Sequence, residues 1–143
     1  MKRILSLIAL LALLSPLALA KKPSNSSFNA LGILRNAKYV YVTSYDGPQF
    51  SDRLWPQDRT AIAGVQNALA ESGYIVVYNP HQADMILALQ ARPSSDLLVV
   101  YQGGRFFNDS YLWRSEAKNG LSGSEPALVQ QLKRAVETAG KTS

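Results

Sequence analysis

The chain has 143 residues, a formal charge of +5 and no cysteine. This length suits a single domain, and a chain of this size buries enough surface to hold a core without cross-links. The missing cysteines exclude disulfide bridges and cysteine-ligated metal sites, and they lead us to expect no lipid attached through a cysteine after export.

The first twenty residues have the pattern of an export signal. Lys2 and Arg3 are followed by residues 4–14, which are apolar except for one serine, and then by a proline break. Ala18 and Ala20 place small side chains where a signal peptidase cuts. An uncleaved membrane anchor is the alternative, but the apolar stretch is shorter than the roughly 20 residues that a span needs. We therefore expect cleavage after Ala20 and a periplasmic or extracellular protein with no stable membrane anchor.

The charge of the exported protein is smaller than that of the whole chain. Without Lys2 and Arg3, 13 basic side chains remain against 10 acidic ones. The basic side chains are scattered along the sequence, whereas nucleic-acid binders usually concentrate them on one face. We expect no nucleic-acid partner.

The beginning of the exported chain should be a polar leader that ends in a short helical turn over residues 28–36. Leu31, Ile33 and Leu34 of this turn are expected to face the body of the protein. Residues 38–45 then alternate valine with tyrosine and threonine, which predicts a strand with a valine core face and a half-covered tyrosine face.

A helix is predicted after the loop formed by residues 46–57. Asp58 is a suitable N-cap, Ile62 and Val65 begin the apolar stripe, and Gly73 ends the helix. The stripe predicts that one side of this helix packs on a sheet.

Four further strands and a second helix complete the predicted pattern. Residues 74–78, 83–90, 97–101 and 110–117 are short runs rich in apolar, β-branched or aromatic residues. Residues 124–140 carry an amphipathic helical pattern that starts with serine and proline.

The predicted order β-α-β-β-β-β-α favours a single α+β domain. We expect a mostly antiparallel sheet of four to five strands with both helices packed on one face. The predicted division of the chain is a signal peptide (1–20), a leader with the helical turn (21–36), the α+β domain (37–140) and a tail (141–143).

Aromatic side chains form the most distinctive candidate for a binding surface. Tyr39, Tyr41, Tyr45, Phe50 and Trp55 cluster at the first strand and the loop after it, and the three tyrosines with Trp55 are the candidate binding residues. Exposed rings bind sugars, peptides or proteins, but rings also fill the open face of a sheet when helices cover the other face. A second aromatic group follows later in the chain, namely Tyr101, Phe106, Phe107, Tyr111 and Trp113.

The sequence contains no complete catalytic or metal-binding set. His81, the single histidine, lies in an Asn-Pro turn, and a metal site needs three or four ligands. Asp46, Asp52 and Asp58 recur at a spacing that matches no calcium loop. We predict no catalytic residue, no metal and no cofactor.

Three short strings give the chain a likeness to a known family. They are Tyr-Val-Tyr-Val at 39–42, Ala-Leu-Ala-Glu-Ser-Gly-Tyr at 68–74 and Gln-Ala-Asp-Met-Ile-Leu at 82–87. The chain resembles the small exported domains of the domain-of-unknown-function 4136 type, and the similarity continues through Tyr-Leu-Trp-Arg at 111–114 and the last helix. The resemblance implies an exported helix-on-sheet domain and assigns no functional residue. Many members of that group carry a lipid-attachment cysteine, which this chain lacks.

The function predicted from these features is that of an exported, non-enzymatic module that binds a partner protein, cell-wall material or another envelope component. One alternative is a small hydrolase-like enzyme that uses Asp46, Asp52 or His81. The other is a carrier of an apolar ligand.

Overall fold

A computed structural model describes residues 31–48, 51–104 and 111–141. The predicted signal peptide, residues 21–30 of the leader, Phe50, Phe106, Phe107 and the last two residues lie outside the described residues. Within the described ranges, no helix combines the length and the hydropathy needed to cross a membrane.

The described residues contain five strands and two α-helices. Their bounds are β1 Tyr39–Ser44, α1 Pro56–Glu71, β2 Ile75–Val76, β3 Met85–Gln90, β4 Asp96–Gln102, β5 Tyr111–Ala117 and α2 Ala127–Lys141. Short 3₁₀ helices occur at Leu31–Asn36 and Pro80–Gln82. The domain is therefore an α+β domain with a five-stranded sheet, as predicted.

The five strands form one mixed sheet in the order β2-β1-β3-β4-β5. β1 pairs in parallel with both β2 and β3, whereas β4 pairs antiparallel with β3 and β5. The antiparallel arrangement that the sequence predicted thus applies to one half of the sheet. β2 runs parallel to β1 because α1 returns the chain to the starting edge of β1, and residues 77–84 return it there again before β3 begins.

The alternation in β1 separates the two faces of the sheet. Val40 and Val42 are buried, while Tyr39, Tyr41 and Tyr45 lie on the opposite side, half-buried or exposed. This confirms the predicted valine core face and half-covered tyrosine face.

The main core lies between the valine side of the sheet and both helices. α1 contributes Ile62, Val65 and Leu69, and α2 contributes Leu128 and Leu132, all of them almost completely buried. They pack against buried side chains of the strands, namely Val40, Val42, Met85, Leu87, Leu89, Leu98, Val100 and Leu112. Both helices therefore stabilise the same face of the sheet.

The helical turn before β1 is a 3₁₀ helix that packs on α2. Leu31 and Leu34 are buried, but Ile33 is 54% exposed, so the expectation that all three face the body is wrong for Ile33. In a 3₁₀ helix, residues three apart lie on one side, which places Leu31 and Leu34 together and Ile33 elsewhere.

α1 begins earlier than the sequence predicted. Trp55 is its N-cap and Pro56 its first residue, so Asp58 lies inside the first turn and is not the N-cap. Proline at the first helical position has a backbone already shaped for the helix and lacks only an N–H that needs no partner there. This frees the Asp58 side chain, which is fully buried, for contacts with the sheet.

Asp84 joins the starts of the two central parallel strands. Its carboxylate accepts hydrogen bonds from the backbone N–H groups of Lys38 (2.9 Å) and Tyr39 (3.0 Å). These two bonds, that from Tyr39 first, hold the pKa of Asp84 below its usual value. The backbone of Gly103 meets the same point so closely that a Cβ on it would overlap the Ala83 carbonyl.

Candidate functional site

One side of the sheet carries five tyrosines, which we call the tyrosine face: Tyr39, Tyr41, Tyr45, Tyr101 and Tyr111. The strand register brings them together, because Tyr41 pairs with Ile86, which pairs with Tyr101, and Tyr101 pairs with Tyr111. A register shift in the β4–β5 ladder near Tyr101 places Tyr111 beside that ring. The sheet therefore gathers tyrosines from both ends of the domain sequence.

The phenol groups and rings of this face contact one another. The hydroxyl groups of Tyr45 and Tyr101 are hydrogen-bonded at 3.1 Å, and the rings of Tyr101 and Tyr111 meet edge-to-face with centroids 6.2 Å apart. Burial, and then the bond with Tyr45, raise the pKa of Tyr101 to about 12. These contacts hold the rings in defined positions.

The tyrosines surround a small apolar centre. Ile86, Ala88 and Val99 are almost completely buried, while Tyr39, Tyr45 and Tyr111 at the periphery remain 42%, 46% and 51% exposed. Within the part of the chain that the structure describes, this cluster is built from sheet residues together with Val77 and Ala83, and neither α-helix joins it. The face is amphipathic, since its rings are apolar and their hydroxyl groups hydrogen-bond.

Trp55 does not belong to the tyrosine face. It precedes α1, is 58% exposed, and its ring lies against the Arg92 guanidinium at 5.5 Å. The four residues that the sequence proposed as one binding surface therefore divide. Tyr39, Tyr41 and Tyr45 share a face, and Trp55 lies near the ends of β1 and β3.

Arg92 is the centre of a polar network at that end of the sheet. It contacts the buried Asp58 carboxylate at 3.2 Å and the Asp46 carboxylate at 2.6 Å. Asp58 also accepts hydrogen bonds from the Ser44 hydroxyl (3.1 Å) and the Ala91 N–H (2.8 Å). The guanidinium is thus neutralised by two carboxylates, and the network ties α1 to β1 and to the end of β3.

An open groove of about 570 Å³ lies beside this network, between α1 and the loop before α2. Arg92 and Asp96 are the charged members of its lining, and Asp96 is buried. Its carboxylate accepts the N–H groups of Arg92 (3.2 Å) and Leu121 (2.9 Å), which joins the two walls. We call this cavity the Trp55 groove, because Trp55 adjoins its lining residue Pro56 and stacks on its lining residue Arg92.

The residues of the enzyme alternative lie apart. Asp46 follows the end of β1, whereas His81 precedes the start of β3, and these strands run parallel. A six-residue strand spans about 20 Å, so the two side chains lie at opposite ends of the sheet. Asp52 is exposed in a turn before α1. Among the described residues, no three acidic or histidine side chains are placed to hold a metal ion.

Sequence reasoning missed the network around Arg92. Arg92 is 34 positions from Asp58 and 46 from Asp46, so its partners become visible only when the chain is folded. A usable signal was present, because Asp58 lies in a first helical turn and Arg92 directly follows a strand. In a parallel arrangement, such positions meet at one edge of a sheet.

Searches among protein-family models, curated proteins and solved structures give no match to this chain.

Proposed function

We propose that this chain is an exported, non-enzymatic module that binds a protein of the cell envelope through the tyrosine face. The observation that carries the proposal is a group of half-exposed tyrosines, three of them 42–51% exposed, on the side of the sheet away from both helices.

The chemistry of the face suits a protein partner. Tyrosine is enriched at protein interfaces because it offers a large contact area, a polar tip and few rotatable bonds to immobilise. Tyr45 and Tyr101 are already linked through their hydroxyl groups, which lowers the entropy lost when a partner binds. The domain already buries the apolar centre, so the partly exposed rings of Tyr39, Tyr45 and Tyr111 are the surface that a partner would bury.

The non-enzymatic character is supported by the arrangement of the polar residues. Asp46 contacts Arg92, and His81 lies at the other end of the sheet, where its backbone N–H donates to the Asn79 side chain at 3.0 Å. General acid–base catalysis requires such groups within reach of one reacting atom. The resemblance to the domain-of-unknown-function 4136 type supports only the exported helix-on-sheet part of the proposal and assigns no activity.

The interaction can be tested by recovery of envelope proteins on the immobilised domain. The double variant Tyr39→Ser/Tyr45→Ser changes the tyrosine face, and Tyr78→Ser is the matched control, because Tyr78 is 65% exposed and is not one of the five tyrosines that define that face. We expect at least one protein whose recovery falls about tenfold with the double variant and is unchanged with Tyr78→Ser. The proposal would be contradicted if every protein were recovered equally on the parent domain, the double variant and the Tyr78→Ser variant.

Export has a separate test. Expression of the full chain in a bacterium, followed by fractionation and intact mass measurement, should give a protein that begins at Lys21 outside the cytoplasm. A protein that keeps residues 1–20 and stays in the cytoplasmic fraction would contradict export.

A further inference from the structure

We propose that the Trp55 groove is a second binding site, separate from the tyrosine face, and that it takes an uncharged sugar. The groove has a volume of about 570 Å³, within the roughly 300–1,000 Å³ of small-ligand sites. It also lies past the carboxyl ends of two parallel strands, β1 and β3, a common place for ligands in sheets of this kind.

The electrostatics of the lining argue against an anionic ligand. Arg92 is the cation of the lining, and Asp58 and Asp46 already neutralise it. Asp96 is committed as well, since each of its carboxylate oxygens accepts a backbone N–H. A phosphate or carboxylate ligand would therefore meet no free positive side chain in this lining, whereas anion sites normally provide one.

The polar groups that stay available are neutral. Gln57, Asn119 and Ser122 are exposed along the groove, and their side chains hydrogen-bond with no other described residue. Amide and hydroxyl groups both donate and accept hydrogen bonds. They match a ligand whose own groups do the same, and a sugar carries such hydroxyl groups around its ring.

A glycine inside α1 gives the groove its space. Gly64 lines the groove, and a Cβ placed on it would meet no atom within 4 Å, so no contact inside the chain requires glycine there. Glycine in the middle of a helix costs about 1 kcal/mol relative to alanine. Gly64 therefore lowers the stability of the helix although no neighbouring atom requires a glycine. We infer that the missing side chain lets a ligand approach the helix closely.

Trp55 is not a lining residue, but it lies beside the groove, next to the lining residue Pro56, and offers an aromatic surface at its edge. The Arg92 guanidinium, 5.5 Å from the ring, holds the indole in place, and 58% of the residue surface stays exposed. The aliphatic C–H side of a sugar ring packs on such a surface, while its hydroxyl groups point outward to hydrogen-bonding neighbours. Stacking and hydrogen bonding together therefore specify a neutral, polyhydroxylated ligand.

Calorimetric titration of residues 21–143 with triacetylchitotriose, with maltotriose and with inorganic pyrophosphate tests this proposal. We expect saturable binding of at least one of the two sugars and no binding of pyrophosphate. Trp55→Ala should weaken sugar binding by at least about tenfold, because stacking on the indole at the edge of the groove is lost. Tyr78→Ser, at an exposed tyrosine outside the groove lining, should leave the sugar affinity unchanged.

Gly64→Ala separates binding from folding. This variant should unfold at a higher temperature than the parent protein, because alanine favours the helix, and yet bind the sugar more weakly. The proposal is overturned if neither sugar binds, if pyrophosphate binds more tightly than both sugars, or if Trp55→Ala and Gly64→Ala bind the sugar like the parent. None of these results tests the tyrosine face, because the variants that test it change Tyr39 and Tyr45 and not the groove.

Discussion

The two faces of the sheet are built for different tasks. The face under α1 and α2 is a continuous layer of aliphatic side chains that are almost completely buried. The tyrosine face has a small buried centre and a rim of rings that are partly exposed and joined through hydroxyl groups. The first face supplies stability, whereas the second leaves aromatic surface accessible, and it is there that we propose a partner binds.

The largest expected effect comes from the buried charge on the helix-covered side. Asp58→Ala removes a carboxylate that contacts Arg92, Ser44 and the Ala91 N–H. It should lower the free energy of unfolding by about 3–5 kcal/mol, because the Ser44 hydroxyl and the Ala91 N–H lose their acceptor and Arg92 loses one of its two carboxylates. Urea denaturation measures this loss.

Asp46→Asn is the control for that variant. Asp46 contacts the same guanidinium, but 38% of its side chain is exposed, so its loss should cost less than about 1 kcal/mol. Equal losses for Asp46→Asn and Asp58→Ala would show that burial does not decide the strength of this network.

Two neighbouring residues of β3 compare the faces directly. Leu87 is buried under the helices and Ile86 is buried on the tyrosine face, at 0% and 1% exposure. Leu87→Ala should cost about 3 kcal/mol and Ile86→Ala about 2 kcal/mol, because the smaller cluster on the tyrosine face relaxes more easily around a cavity. Urea denaturation of both variants checks the order, and a larger loss for Ile86→Ala would reverse the comparison.

Asp84 predicts how acid acts on the parallel half of the sheet. Two backbone N–H groups lower its pKa in the folded protein, so its contribution is complete above the unfolded pKa of about 3.9. The contribution is lost as the pH falls through the lower pKa of the folded state. The stability advantage over Asp84→Asn should therefore shrink as the pH drops below about 4.

Chemical denaturation of both proteins at several acidic pH values measures this advantage. An advantage that stays constant down to about pH 2 would mean that the two bonds from Lys38 and Tyr39 do not favour the ionised form.

The smallest expected effect concerns the hydroxyl pair of the tyrosine face. Tyr45→Phe removes one hydrogen bond and should cost less than about 1.5 kcal/mol. It should also lower the pKa of Tyr101 from about 12 towards, but not down to, its usual value, because burial is the larger cause of the shift. Ultraviolet titration of the phenols measures this pKa, and an unchanged Tyr101 pKa would contradict the role given to Tyr45.

Local patterns in the sequence were sufficient to predict which residues of β1 and α1 face the core. Alternation in residues 39–44 identified the valine core face, and the apolar stripe at Ile62, Val65 and Leu69 identified the buried side of α1. These features depend on neighbours along the chain, whose period follows from strand and helix geometry.

The remaining features depend on contacts between distant parts of the chain. The parallel pairing of β1 with β3 joins residues 45 positions apart, and Arg92 finds its carboxylates at similar separations. Trp55 lies away from the tyrosines because α1 begins at Pro56. The sequence did not indicate this start, because Asp58 is a good N-cap residue and predicted a later one. A single sequence contains no direct record of such pairings.

Tyrosine nitration, read by mass spectrometry on residues 21–143 with and without envelope extract, tests the division between the two faces most directly. In the free domain, Tyr39, Tyr45, Tyr111 and the control Tyr78 should react readily, and the buried Tyr101 should resist. With extract, we expect protection of Tyr39, Tyr45 and Tyr111 while Tyr78 continues to react. Unchanged reaction of all four exposed tyrosines would contradict the claim that the tyrosine face is the contact surface.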